Sequence, residues 1–226
     1  MKHIVITGTS RGIGLELVKL FSGMGHKVVA LSRNFQPLKE MSLPGVEAIG
    51  CDINNPEELK QLESYFKDNN QTVDVLINNA GAILNKTFAE TTPDDFRKVY
   101  ETNVFGIVAL LQSLLPFMEK TGHVVNISSM GGVQGSMKFP GLSAYSSSKG
   151  ALITLTEMLA EEYKDSGPSF NVLALGAVQT EMLAEAFPGY KAPLQPAEMA
   201  EYIADFSLNG QKFYNGKLLQ VSKSTP

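Results

Sequence analysis

The chain has 226 residues, 43% hydrophobic and 19% charged, which fits a single α/β domain over 1–226 with a full core. A net charge of −4 with no Lys/Arg-rich run excludes the basic footprint of a nucleic-acid binder. One cysteine, Cys51, excludes an internal disulfide; in its apolar run it reads as a small buried residue of a reducing compartment, and cytoplasm is the expected location.

Met1-Lys2 leads straight into an apolar run, so no signal peptide is expected, and no uninterrupted apolar segment reads as long enough to span a bilayer. Asn85-Lys86-Thr87 fits a glycosylation sequon and reads as chance without such a signal. Apolar runs at 3–7, 27–32, 46–51, 73–78, 123–128, 170–175 and 217–221 alternate with helical stretches near 12–24, 56–69, 93–119, 144–165 and 196–208. The runs are rich in Val, Ile and Leu and do not alternate strictly, as in parallel strands covered on both faces. The expected fold is a doubly wound, mainly seven-stranded parallel sheet with helices on both faces and ligands at the carboxyl ends of the strands.

Between the first strand and first helix lies Thr7-Gly8-Thr9-Ser10-Arg11-Gly12-Ile13-Gly14. Glycines allow a sharp turn and close approach, and the helix start offers unpaired N–H groups, so this stretch reads as a seat for a dinucleotide pyrophosphate. A turn that only packs is the alternative. The second strand ends in Ser32-Arg33-Asn34, without the acid that usually meets the adenosine ribose of NAD. Arg33 and Arg11 would instead pair with a 2′-phosphate, as in NADP, unless both are merely solvated surface charges.

Asp52-Ile53-Asn54-Asn55-Pro56 reads as a turn, and Pro56-Glu57-Glu58 and Thr92-Pro93-Asp94-Asp95 as helix starts. The fourth strand ends in Asn78-Asn79-Ala80-Gly81: Asn78 reads as structural, and Asn79, Ala80 and Gly81 as bordering the cofactor. The 93–119 helix is apolar on several sides, which calls for more than one partner surface, and it carries a polar Asn103 that burial must satisfy. The fifth strand ends in Ser128-Ser129, and Tyr145 and Lys149 follow one helical turn apart. A cation beside the phenol would lower its pKa toward useful acid–base chemistry, and Ser129 would hold the substrate oxygen. Ser128 and Ser143 compete for that role.

In order, T-G-x-x-x-G-x-G, N-N-A-G, Ser-Ser and Y-x-x-x-K resemble the short-chain dehydrogenase/reductase family over nearly the whole chain. The resemblance implies an NADP(H)-dependent oxidoreductase that interconverts a small-molecule carbonyl and its alcohol, with Tyr145, Lys149, Ser129 and Asn103 catalytic. In the family the matching Asn interrupts its helix and its carbonyl holds a water that reaches the lysine. Implied cofactor contacts are Gly8, Ser10, Arg11, Gly12, Ile13, Gly14, Arg33, Asp52, Ile53, Asn79, Ala80, Gly81, Tyr145, Lys149, Gly176, Val178 and Thr180. Thr180 is equally an N-cap of the turn after it. The resemblance also implies a homodimer or homotetramer packed through the long helix, and no nucleic-acid or membrane partner.

The chain departs from the pattern in about three extra residues near 134–139, in Leu175 where a proline is usual, and in lacking a D-G-G after its last strand. By the resemblance the segment 181–196 is the short substrate loop, and its apolar residues either simply anchor the loop or suggest a partly apolar carbonyl compound. Two other readings were weighed. Ser146-Ser147-Ser148-Lys149 with Lys120-Thr121-Gly122 loosely fits a serine acyl-enzyme. The domain could also be a non-catalytic NADP(H)-binding sensor or scaffold. His3, His26 and His123 are scattered, so no metal site is expected.

Overall fold

In the computed structural model, which describes residues 1–223, the chain forms a seven-stranded sheet in which every neighbouring pair is parallel. Its strands are β1 (His3–Thr7), β2 (Lys27–Ser32), β3 (Val46–Gly50), β4 (Val73–Asn78), β5 (Met118–Ser129), β6 (Ser169–Leu175) and β7 (Lys217–Val221). Their order is β3-β2-β1-β4-β5-β6-β7. The chain winds outward one way from β1 and the other way from β4, so the crevice between these two strands is the switch point where such sheets bind ligands.

Successive strand residues face opposite sides of a sheet, and both sides here are dry. Ile4 and Ile6 pack with Leu17, Val18 and Phe21 of α1 (Gly12–Gly23) and with Met199, Ala200 and Ile203 of α8 (Pro196–Asn209). Val5 points the other way, toward Leu59, Leu62 and Phe66 of α3 (Pro56–Asp68), Ile107 and Leu110 of α5 (Gly106–Leu114), and Leu152 of α6 (Ser143–Glu162). Burial on both faces is why the strands read as apolar runs. Cys51 is free and buried.

The helix starts follow their chemistry. Asn55 accepts from the Glu57 N–H, and Thr92 forms a capping box with Asp95 at the head of α4 (Pro93–Tyr100). The expected single helix over 93–119 is instead α4, a π-helical turn at Glu101–Phe105, α5, and a 3-10 turn at Leu115–Phe117. Pro116 lacks an N–H and clashes with the preceding turn, so the helix stops there and β5 starts earlier than expected. The π turn carries Asn103. The stretch Pro93–Phe117 is long and apolar enough to cross a membrane by length and composition, although Arg97, Lys98, Glu101 and Asn103 interrupt its apolar residues. It packs across one face of the sheet through Ile107, Leu110, Leu111 and Leu114.

Two short helices went unread: α2 (Gln36–Glu40) and α7 (Glu181–Ala186). They have five and six residues, too few for an apolar period to show.

Candidate active site

The carboxyl ends of the strands open on a cavity of about 650 Å³. All the expected site residues line it except Gly14 and Asn103. A Cβ on Gly14 would come 2.2 Å from the Gly8 carbonyl oxygen, so this glycine lets α1 pack on the turn. Gly8, at φ +71°, makes the turn itself. Beyond it, Ser10, Arg11, Gly12 and Ile13 face the cavity. No side chain caps α1 and its first turn holds no acid, so that end keeps its positive character.

The strand ends are tied together by Asn79, whose side-chain amide donates to the Thr7 and Gly8 carbonyls at 3.0 and 3.1 Å. The Thr7 hydroxyl accepts from the Asn79 and Ala80 N–H groups. Asn79 is thus a brace as well as a wall of the cavity. Asn78 is buried and structural, donating to Asn126 at 2.7 Å. Asp52 accepts from the Asn54 N–H at 3.0 Å, which sets its turn, and Asp52 and Ile53 close the cavity wall there. Arg33 is exposed on the rim and makes no ion pair among the described residues, whereas Arg11 holds Glu185 through both guanidinium nitrogens at 2.5 and 3.1 Å.

At the other end, α6 carries Tyr145 and Lys149 on one face against β5. Lys149 is buried, donates to the Ile127 carbonyl at 2.8 Å, and has its Nζ 5.9 Å from the centre of the Tyr145 ring. Burial pushes the ammonium down to about 8. Burial also pushes the Tyr145 phenol above its ordinary value, and a hydrogen bond with Ser129 opposes the rise. That direction is the reverse of the one expected from the Tyr–Lys pair, because both groups are desolvated together and each then favours its neutral form.

Ser129 shares the cavity with Tyr145 and its Oγ accepts from the Gly131 N–H at 3.2 Å. Its competitors part from it. The Ser128 hydroxyl donates to the Lys149 backbone carbonyl at 2.9 Å, and Ser143 lies outside this cavity. Asn103 stands behind the wall. Its amide donates to Ala82 O and Ser148 Oγ, both at 2.9 Å, and its Oδ1 accepts from the Ala82 N–H at 2.7 Å. A Cβ on Gly81 would lie 3.4 Å from both Asn103 Oδ1 and Lys149 Nζ, so the glycine keeps the approach to the lysine open.

Thr180 both lines the cavity and caps α7, accepting from the Leu183 N–H at 3.2 Å. Val178 is buried, and Gly176 donates to the Val221 carbonyl at 3.0 Å. Leu175, in place of the usual proline, ends β6 paired with Ser129 and Val221. The extra residues fold on themselves: the Ser136 hydroxyl donates to Met130 O and Lys138 Nζ donates to Val133 O, each at 2.5 Å. They deliver Phe139 to the cavity wall. The serine acyl-enzyme reading fails on distance, because Lys120-Thr121-Gly122 lies in the irregular start of β5, and the regular stretch from His123 to Ile127, which Lys149 touches, already separates the two by about 13 Å.

A family model described as short chain dehydrogenase matches residues 2–191. The chain belongs to the short-chain dehydrogenase/reductase family. Dehydrogenase/reductase SDR family member 7B of Mus musculus is 35% identical over 195 residues, 81% of this chain and 59% of its own. The chain thus spans about three fifths of the length of that relative and of its Bos taurus counterpart. An uncharacterized oxidoreductase of Staphylococcus aureus (strain USA300) is 28% identical, with 95% of this chain and 94% of that one aligned. Among solved structures, a short-chain dehydrogenase/reductase from Brucella melitensis superposes with a TM-score of 0.87 at 23% identity, over 97% of this chain and 94% of that one. A 4-hydroxyisoleucine dehydrogenase complexed with NADH gives 0.86 at 24%, over 98% and 97%. The fold is therefore that of the family, and the family implies a nicotinamide dinucleotide cofactor.

The residues fit such a group. The Ser32 hydroxyl is buried in the cavity wall with no hydrogen-bond partner among the described residues, at the place where an adenosine ribose would lie. Ser32 was not singled out from the sequence; its position as the last residue of the second strand was the available signal. Glu181 and Glu185 were also missed as neighbours of the glycine turn, because only the fold brings residue 185 beside residue 11.

Proposed function

We propose that this short-chain dehydrogenase/reductase domain is an NADP(H)-dependent oxidoreductase that reduces an uncharged, partly apolar carbonyl compound to its alcohol. The observation that carries the reading is Tyr145 and Ser129 lining one cavity, with Lys149 beneath the Tyr145 ring, in the space that the glycine turn also faces. Bound reduced nicotinamide supplies a hydride to the carbonyl carbon. Ser129 and Tyr145 converge on the carbonyl oxygen, and the Tyr145 hydroxyl proton passes to it as negative charge develops there. Burial keeps the phenol in its protonated form, the form that can give a proton to the carbonyl oxygen. Lys149 sits close enough to steady the phenolate left behind, and Asn103 holds the wall against which the lysine rests.

Arg33, without an ion pair among the described residues and on the rim beside the Ser32 hydroxyl, supports NADP(H) over NAD(H). Met182, Leu183, Phe187 and Phe139 in the wall support a substrate without charge. Phe105 of the π turn between α4 and α5, 56% exposed, supports a homodimer or homotetramer, and the lone buried Cys51 supports a cytoplasmic location. The test is a panel of aldehydes and ketones with each reduced nicotinamide, followed at the nicotinamide absorbance. Consumption that needs both NADPH and a carbonyl is expected, and Arg33→Ala is expected to weaken NADPH far more than NADH. Tight NADPH binding with no turnover across the panel would move the reading to a sensor or scaffold, and equal losses on both nicotinamides would remove the assignment to NADP(H).

A further inference from the structure

The helix α7 covers the glycine turn, yet none of its residues is buried. It is held from outside by few contacts. Its cap residue Thr180 and its first residue Glu181 come to the edge of Gly12, where a Cβ would meet each of them at 3.4 Å. The Asn85 side chain donates to the Ala186 carbonyl at 2.7 Å. The third tie is Arg11 to Glu185, two-pronged, between residues 174 positions apart, with both side chains about half exposed. Arg11 is one of two arginines assigned above to a 2′-phosphate, and in this arrangement Glu185 already occupies its fork. Arg33 makes no ion pair among the described residues.

We propose that Glu185 is a cofactor-specificity residue: it competes with the 2′-phosphate for Arg11, so that binding of NADP(H), and not of NAD(H), unlatches α7 from the glycine turn. This rests on the NADP(H) reading. A phosphate monoester near neutral pH carries close to two charges and three acceptor oxygens, against one charge and two oxygens on the carboxylate. It therefore takes the guanidinium fork, and the released carboxylate is repelled by the charge that replaced it. With no fully buried side chain to hold it, α7 then keeps its end ties at Thr180 and Ala186 and the half-buried Met182 and Leu183. A cofactor with a plain ribose has nothing to exchange for Glu185 and leaves the latch closed.

The test uses 2′,5′-ADP and 5′-ADP, which differ by the one phosphate and do not reach Tyr145. Titration calorimetry gives their affinities, and amide hydrogen exchange reports on 181–187. Glu185→Gln is expected to tighten 2′,5′-ADP about three- to fivefold, the size of an exposed ion pair, and to leave 5′-ADP unchanged. The gain is expected to vanish in an Arg11→Ala background. Saturating 2′,5′-ADP is expected to raise exchange in α7 of the unaltered protein to the level of Glu185→Gln, and 5′-ADP to leave it alone. Equal tightening of both nucleotides, or a gain that survives Arg11→Ala, overturns the proposal. If the unaltered protein prefers 2′,5′-ADP while Glu185→Gln changes nothing, the latch falls and the NADP(H) reading stands. If it does not distinguish the two nucleotides at all, both fall.

Discussion

Two bases are buried against the two ends of the regular part of β5, and burial pushes both down: His123, where its ladder with β6 begins, to about 4, and Lys149 of α6, which touches Ile127, to about 8. The surroundings differ. His123 faces only protein, with Nδ1 3.0 Å from the Ser207 carbonyl, Nε2 3.0 Å from the Asn171 amide, and the Phe206 ring against it. Its two nitrogens find one acceptor and one donor, which is what a neutral imidazole needs. Lys149 has one protein acceptor, Ile127 O, and otherwise faces the cavity with Tyr145. A shifted pKa therefore does not by itself mark a site. The same desolvation completes a core where every partner is protein and poises chemistry where one side is open to a ligand.

The sharpest way to separate the two ends is to remove the proton carrier at one of them. Tyr145→Phe is expected to lower carbonyl-dependent NADPH consumption by about 10²–10⁴-fold, while NADPH affinity stays within a few-fold. A parallel fall in binding would mean that the phenol holds the cofactor and does not move a proton.

At the other end the readout is stability. Above pH 6.5 His123 is neutral in the folded and the unfolded chain. As pH falls from about 6.5 to about 4, the unfolded chain takes up a proton that the folded chain refuses, so about 3 kcal/mol of stability is lost. Urea midpoints across that window check this. His123→Asn is expected to flatten the acid limb and to leave turnover per folded molecule within twofold. A limb of unchanged slope would place the acid sensitivity elsewhere.

Lys149→Met is expected to abolish turnover yet raise stability at pH 7 by about 2 kcal/mol, once the lost bond to Ile127 is set against the relieved burial of charge. Below about pH 8 the folded lysine is charged and bears the cost of burial. Above about 10.4 folded and unfolded chains are both neutral, so the gain fades between those values. Thermal melts of the two proteins from pH 7 to 10 test it, and a variant destabilised at every pH would show that the ammonium is held more by its bond than it suffers from burial.

The smallest effect divides two adjacent serines at the catalytic end. Ser128→Ala removes a bond to the α6 backbone and is expected to cost about 1 kcal/mol of stability with turnover nearly intact. Ser129→Ala is expected to cost turnover and little stability. The reverse pattern would exchange their roles.

Much of the fold was legible because its signals are local. Apolar runs under two helical layers announce parallel strands, and Pro56 and the Thr92–Asp95 box announce their helices from adjacent residues. The residues of the site were legible as motifs, yet their separate tasks were not. Asn79 reads as a cofactor neighbour, and only the strand order shows it bracing β1 against β4. The Ser128 and Ser129 hydroxyls cannot be told apart by spacing; both residues line the cavity, but the Ser128 hydroxyl is spent on the α6 backbone while Ser129 faces Tyr145.

Sequence alone determined the doubly wound layout, the glycine turn and the one-turn spacing of Tyr145 and Lys149, because each depends on residues within a few positions of one another. The tertiary structure decided how the charges meet. Arg11 finds Glu185 across the whole chain, Lys149 is desolvated against Ile127, and Tyr145 is raised by burial. Electrostatic energies follow distance in space and exposure to water, and neither quantity is written in the order of the residues.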